Sequence, residues 1–279
     1  MGHSITEFCD RLIRPDPALA GCVFAGIVRN TNGRGLAHVD RFNLFPASPL
    51  CTVSWFFQGC SHAVTQGIPD PDPLPRLLLA GPQSAPVTSW NPGEVVALSV
   101  GFYPDAWHAL TGHNVEDMRD RMYRLDETLE GPMLEVFHKL HAPDGYRELE
   151  TALVPIWQSL QPTGGFASSR LADWGRALGT RAALSETGRS LRQIQRRIKR
   201  WTGQNRQTLS LFARVEALEQ LAAKGGGDLA DLAQKAGFSD QSHMGRALKQ
   251  VTGYSPAALN QRIAKDEPFW AYRLLGERF

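Results

Sequence analysis

Apolar residues along this chain follow two different rhythms. Over the first hundred positions they come in short runs rich in Val, Phe, Leu and Trp: Gly21–Arg29 (GCVFAGIVR), Leu50–Gln58 (LCTVSWFFQ), Leu77–Ala80 and Val95–Tyr103 (VVALSVGFY). Such runs predict strands. Turn-forming stretches separate them, among them Ile68–Pro75 (IPDPDPLP) and Asn91-Pro92-Gly93. Proline has no N–H to give to a ladder, so these stretches are expected as loops or strand edges. From Pro104 onward the spacing turns helical, predicting helices over Asp105–Leu110, Val115–Tyr123, Asp126–His141 and Tyr146–Leu160. Gln161–Ala167 (QPTGGFA) has the composition of a linker. The expected fold class is α+β: a β-rich unit closed by helices over residues 1–160, a linker at 161–167, and an all-α unit over 168–279.

Two basic helical segments in the second unit share a layout. In Ser190–Trp201 (SLRQIQRRIKRW), Leu191, Ile194, Ile198 and Trp201 fall on one helical face. Arg192, Gln195, Arg196 and Lys199 cluster on another, and Ser190 suits an N-cap. Arginine can bond two acceptors of guanine, glutamine can pair with adenine, and lysine suits phosphate. A solvated basic face on an ordinary surface helix would look the same.

Asp228–Leu248 (DLADLAQKAGFSDQSHMGRAL) has the anatomy of a helix-turn-helix. Leu229, Leu232 and Ala233 give the first helix an apolar face, and small Ala233 suits a close helix crossing. Gly237 suits a left-handed turn, Phe238 can plug the core, and Ser239 or Asp240 can cap the next helix. In that helix Met244, Ala247, Leu248 and Val251 form the expected buried stripe. Ser242, Gly245, Arg246 and Lys249 point away, with Gln241 on the exposed first turn. A recognition helix enters a major groove about 12 Å wide, which favours small residues among the polar ones.

These residues resemble a known family. Gly237-Phe238-Ser239-Asp240-Gln241-Ser242-His243, Arg246-Ala247-Leu248-Lys249 and Thr252-Gly253-Tyr254-Ser255-Pro256 are similar to the C-terminal signature of the AraC/XylS transcription regulators. Arg192-Gln193-Ile194-Gln195-Arg196-Arg197 and Trp201-Thr202-Gly203 resemble that family's first recognition helix. The resemblance covers about residues 168–265. It implies seven helices and two helix-turn-helix units joined by a long helix, here Gln204–Lys224 with an apolar stripe of Leu211, Val215, Leu218 and Ala222. It further implies that both recognition helices enter successive major grooves on one DNA face. The base-facing candidates are then Arg192, Gln195 and Arg196, followed by Gln241, Ser242, Gly245 and Arg246. One departure concerns the first unit. Aligning Gly188 with Gly237 sets Leu184 opposite Ala233 and Arg189 opposite Phe238, which predicts a wider crossing or a shifted turn there.

Charge divides the chain at the same place. Residues 1–165 carry 11 Lys/Arg against 18 Asp/Glu, net −7, and residues 166–279 carry 19 against 10, net +9. Only the basic half is expected to meet a polyanion. No apolar run approaches the roughly 18 residues of a membrane span, and the N-terminus lacks a targeting pattern, so the expected compartment is the cytoplasm.

In the family, the companion domain senses a small molecule, dimerises, or does both. Leu79-Ala80-Gly81-Pro82-Gln83 and Val100-Gly101-Phe102-Tyr103-Pro104 resemble such a β-rich companion. Trp55, Phe56, Phe57, Trp90, Phe102 and Trp107 are candidates to line an apolar pocket, and plain core packing accounts for them equally. Cys60-Ser61-His62 is the best candidate for catalysis or metal binding, but one thiol and one imidazole fall short of a zinc site. The four cysteines, Cys9, Cys22, Cys51 and Cys60, are irregularly spaced and expected as buried or half-buried thiols. No catalytic residue, metal or cofactor is assigned.

Three readings follow. The first is a DNA-binding transcription regulator, activator or repressor, answering to a small-molecule effector, with double-stranded DNA as ligand and RNA polymerase and a second copy of the chain as candidate partners. The second is such a regulator whose N-terminal half makes only protein contacts. The third, an enzyme or alkyl-accepting repair protein fused to a DNA-binding domain, needs a cysteine-rich metal site that the sequence does not provide.

Overall fold

A computed structural model describes residues 10–160, 170–185, 190–223 and 228–277. In chain order the first block runs β1 (Arg11–Ile13), β2 (Val23–Asn30), β3 (Phe42–Phe45), β4 (Cys51–Gln58), β5 (His62–Thr65), β6 (Ile68–Pro73), β7 (Leu77–Ala80), β8 (Val87–Trp90) and β9 (Val96–Phe102). Then come α1 (Pro104–Thr111), α2 (Val115–Met118), β10 (Met122–Arg124), α3 (Leu125–Thr128), α4 (Gly131–His138) and α5 (Tyr146–Leu160). The second block is helical: α6 (Leu171–Leu184), α7 (Leu191–Thr202), α8 (Arg206–Ala223), α9 (Leu229–Lys235), α10 (Gln241–Thr252), α11 (Pro256–Lys265) and α12 (Trp270–Gly276). The α+β class is as expected; among the described residues six helices, α6–α11, fall within 168–265, and α12 lies beyond it. The linker 161–167 lies outside the described residues.

The strands form two antiparallel sheets, one ordered β1-β2-β9-β4-β7-β10 and the other β3-β8-β5-β6. The four apolar runs of the sequence become β2, β4, β7 and β9, the adjoining centre of the larger sheet. Successive side chains in a strand face opposite ways, and here the two faces differ in kind. Val53, Trp55, Leu79, Leu98, Val100 and Phe102 are buried in the continuous core that includes Trp107, Phe137, Leu149 and Leu153 of the following helices. The alternate residues Ala25, Thr52, Ala80, Ala97, Ser99 and Gly101 are small and face the other way, where they line a cavity. The proline-rich Ile68–Pro73 pairs only with β5, at the edge of the smaller sheet, where missing N–H groups cost no ladder bond.

Two expected helices are shortened. The helix over Val115–Tyr123 stops at Met118, because Asp120 turns left-handed (φ 59°) and Met122–Arg124 pair with β7 as β10. Gly81 permits that turn: a Cβ there would collide with the Met118 carbonyl. The helix over Asp126–His141 breaks at Gly131 (φ 68°) into α3 and α4.

The two blocks do not stay apart. Trp174 and Arg181 of α6 both bond the buried Asp105 carboxylate of α1, the indole N–H at 2.7 Å. Beyond α11 the chain returns to the sheets. Trp270 Nε1 donates to Asn43 Oδ1 at 2.9 Å, its ring meets Phe45 edge-on, and the Arg29 guanidinium lies 4.8 Å over it. Ala271 and Leu274 are buried beside Ile27 and Phe45.

Candidate DNA interface and the cavity beneath it

Each basic helix begins with a side-chain cap and ends on a glycine. In α7 the Ser190 hydroxyl accepts from Gln193 N while the Gln193 side chain accepts from Ser190 N, a reciprocal capping box; Gly203 closes the helix in the left-handed conformation. In α10 Asp240 accepts from His243 N at 2.7 Å and Gly253 closes the helix at φ 83°. The same N–H and the Ser239 hydroxyl hold the Asp240 carboxyl below its ordinary range. These devices fix both helix ends and hence which residues face outward.

On α10 the faces fall as expected. Met244, Ala247, Leu248 and Val251 are buried; Gln241, Ser242, Arg246 and Lys249 are exposed. An added Cβ at Gly245 would meet nothing within 4 Å. The turn before it holds too: Gly237 is left-handed at φ 83°, and Phe238 is buried under the Arg214 guanidinium.

On α7, Arg192, Gln195, Arg196 and Lys199 are exposed, and Ile198 is buried. They line an open groove of about 1100 Å³ shared with Arg206 and Arg214 of α8. Lys199 is already engaged, forming an ion pair with Glu116 of α2. Leu191, placed by its spacing on the buried face, is instead exposed, because it starts the helix and projects beyond the core. Leu229 at the start of α9 and Ala222 near the end of α8 are exposed in the same way.

The irregularity expected at Leu184 resolves differently. Leu184 is 76% exposed at the last turn of α6, while Ala182, two residues earlier, is fully buried and its carbonyl receives the Arg197 guanidinium. The small residue at the helix contact is therefore present, at a position the glycine alignment did not select. Gly188 and Arg189 lie outside the described residues.

Both units pack on α8, whose other side reaches the sheets. Phe212, Val215, Glu216 and Glu219 of α8 roof the cavity, about 270 Å³, that the small-residue face of the larger sheet leaves open. Asn43, Phe45 and Ser89 of the smaller sheet and Trp270 of α12 complete its wall. Of the aromatics proposed to line a pocket, only Phe56 does so; Trp55, Phe102 and Trp107 are packed in the core on the opposite side of the sheet. The signal that locates the cavity is the run of small residues at alternate positions of β9, Ala97, Ser99 and Gly101.

Cys60 and His62 come together, Sγ to Nε2 at 3.8 Å, but His62 Nδ1 is bonded to the Asp70 carbonyl. Among the described residues no three His, Cys, Asp or Glu side chains group as a metal site. Burial pushes the Cys22 and Cys51 thiols far above their usual range, with the Asp105 charge adding to it. A thiol kept protonated and enclosed is inert. Alkylation of the folded chain with iodoacetamide, read by peptide mass spectrometry, is therefore expected to label Cys60 and leave Cys22 and Cys51 unmodified. Rapid labelling of either buried thiol would contradict that burial.

Residues 184–262 match a family model described as a helix-turn-helix domain. This is a DNA-binding domain of the AraC type. No curated protein matches the chain. Among solved structures the chain is similar, at low identity, to those of ToxT from Vibrio cholerae. An apo variant from strain SCE256 is 11% identical, with 84% of this chain and 95% of that one covered, at a TM-score of 0.41. ToxT from O395 bound to a methylnaphthalenyl butenoic acid is 11% identical over 78% of this chain and 94% of its own, at 0.38. A ToxT structure with bound unsaturated fatty acid is 12% identical over 78% and 93%, at 0.35. The AraC-type domain thus contains α7 and α10, the two helices on which the basic residues are exposed. No helix among the described residues is long and apolar enough to cross a membrane.

Proposed function

We propose that the chain is a sequence-specific transcription regulator in which residues 168–279 bind DNA and residues 1–160 control that binding, the connection running through 161–167. The observation that carries this reading is the pair of capped helices α7 and α10 in an AraC-type domain, each with a polar, cationic face turned outward. Arg192, Gln195 and Arg196 on α7, and Gln241, Ser242, Gly245 and Arg246 on α10, are assigned to base edges. Lys199 and Lys249, farther along each helix, are assigned to phosphates. The cavity under α8 is assigned to a small-molecule effector, because that helix touches both helix-turn-helix units and a ligand pressing on it can shift them relative to each other. The N-terminal half is assigned no catalytic role, and the compartment is the cytoplasm, where DNA is accessible. Contacts with RNA polymerase and with a second copy of the chain would serve activation or repression at a paired site.

Binding of the full chain to a DNA pool should weaken steeply with salt. Two lysines and further arginines facing phosphate would release several counterions, so the logarithm of affinity should fall with slope of about −0.9 for each phosphate neutralised. Fluorescence anisotropy across a salt series measures this. A flat salt dependence, or failure to bind DNA at low salt, would reject the reading.

A further inference from the structure

The cavity beneath α8 has a polarity as well as a volume. At about 270 Å³ it lies near the lower end of the roughly 300–1,000 Å³ typical of small-molecule sites, and its walls are mostly aliphatic and aromatic carbon. Its sheet wall carries hydroxyls that largely satisfy themselves: Ser54 and Ser99 bond each other at 2.7 Å, and Asn43 bonds Ser89 and Asn91. The roof is different. Glu219 lines the cavity and makes no hydrogen bond or ion pair among the described residues. Glu216, one turn earlier on α8, also faces the cavity; its carboxylate accepts from Leu171 N at 2.7 Å.

The cation on this wall does not offset Glu219. Arg29 is 4% exposed; its Nη1 is held by Asp10 at 2.6 Å and by Glu267 at 2.8 Å, acids it shares with Arg34, and its Nε has no hydrogen-bond partner among the described residues. Its face is stacked on Trp270. The groups that face Glu219 are then Glu216 on its own helix, the Tyr272 phenol on α12, whose hydroxyl lacks a hydrogen-bond partner, and the ion-paired Arg29 across the cavity. Two acids, Glu216 and Glu219, line the roof of the cavity. A carboxylate in such surroundings is stabilised by a bound cation and destabilised by a second anion.

We propose that this cavity binds a small apolar amine, its alkyl or aryl body between the two sheets and its ammonium group against the Glu219 carboxylate. The proposal rests on the assignment of the cavity as the effector site and adds the chemical class of the effector. Burial and the neighbouring Glu216 push the Glu219 carboxyl up to about 7. An empty site therefore holds it half protonated near neutral pH. An ammonium ion, itself protonated to about pH 10, selects the ionised form. Amine binding must therefore strengthen as pH rises through 7, the reverse of what an apolar acid would show.

The test uses the full chain with octylamine, octanoate and octanol, titrated by calorimetry at pH 6 and pH 8. Octylamine is expected to bind at least tenfold more tightly than octanoate at pH 8, and about tenfold more tightly at pH 8 than at pH 6, following the ionised fraction of Glu219. Glu219→Gln is expected to remove both the preference and the pH dependence. That variant removes an unpaired, half-buried charge, so its Tm at pH 8 should equal or exceed that of the parent chain. The pH series on the unaltered chain tests the same point without any variant. If octanoate binds as well as octylamine, or the preference survives in Glu219→Gln, the amine assignment is wrong and the effector site stands. If none of the three binds, the cavity is not an effector site and both readings fail.

Discussion

Replacing Arg246 with Ala is expected to cost about 1–3 kcal/mol of affinity for the DNA site the chain selects, and to relax the preference at a few base pairs. Arg246 stands on the exposed face of α10, where the Asp240 carboxylate attracts it through space and no hydrogen bond holds it among the described residues. Its guanidinium can therefore turn to a base edge without breaking a hydrogen bond. Gly245 beside it presents no side chain, so the helix can sit deep in the groove. Lys249, one turn on, should behave differently: Lys249→Ala should weaken binding similarly on all sequences and flatten the salt dependence. Lys199 belongs with Lys249 in chemistry but not in availability. It must leave Glu116 to reach a phosphate, so Lys199→Ala should cost less than Lys249→Ala in the full chain. Arg196→Ala should disturb a second patch of bases about 10 bp from the first, if both helices dock on one face of the duplex. Selection of sites from random DNA by each variant decides the facing of α10. An unchanged selected sequence for Arg246→Ala, with an altered one for Lys249→Ala, would reverse it.

The two basic helices α7 and α10 were legible because their signals are local. A cap, a 3.6-residue stripe and a closing glycine lie within a dozen positions, and the side chains they orient follow from that geometry. Leu191 and Leu229 show where the local rule fails: periodicity assigns them to the buried face, but each opens its helix, where nothing packs opposite. The central strands were legible for the same reason, while β1, β3, β5, β8 and β10 were not. They are three or four residues long and partly exposed, too short to show a pattern of their own, so their pairing is set by neighbours.

The cavity was half legible. Small residues alternate with large ones along β9, a pattern visible in VALSVGF once its two faces are read separately. The aromatic residues drew attention instead, and all but Phe56 belong elsewhere. Glu219 gave no signal, because a glutamate on an amphipathic helix is ordinarily solvated, and only the packing of α8 on the sheets half-buries it and turns it to the cavity. The Lys199–Glu116 and Asp105–Arg181 pairs join residues far apart in the chain, beyond the reach of any window.

That last pair carries the largest expected effect on stability. Asp105 sits in the first turn of α1 at 9% exposure, where the helix N-terminus favours its charge, and it serves two residues of α6 at once. Asp105→Ala would leave the Trp174 indole N–H without its acceptor and the Arg181 guanidinium without its counter-charge. Breaking a buried pair from one side costs about 3–5 kcal/mol. The Arg181 side chain keeps 35% of its surface in water, so a loss near the lower end, about 3 kcal/mol, is expected. Against a total stability of about 5–15 kcal/mol this is a large share. Because Asp105 ties the first block to the second, the loss should also separate them, and urea unfolding should change from one transition to two. Asp105→Asn keeps an acceptor for Trp174 and should lose distinctly less. In the double variant Asp105→Ala with Arg181→Ala, the stranded cation is gone, and the combined loss should be smaller than the sum of the single ones. Equal losses for Asp105→Ala and Asp105→Asn, or strict additivity with Arg181→Ala, would show that this carboxylate does not hold the two blocks together.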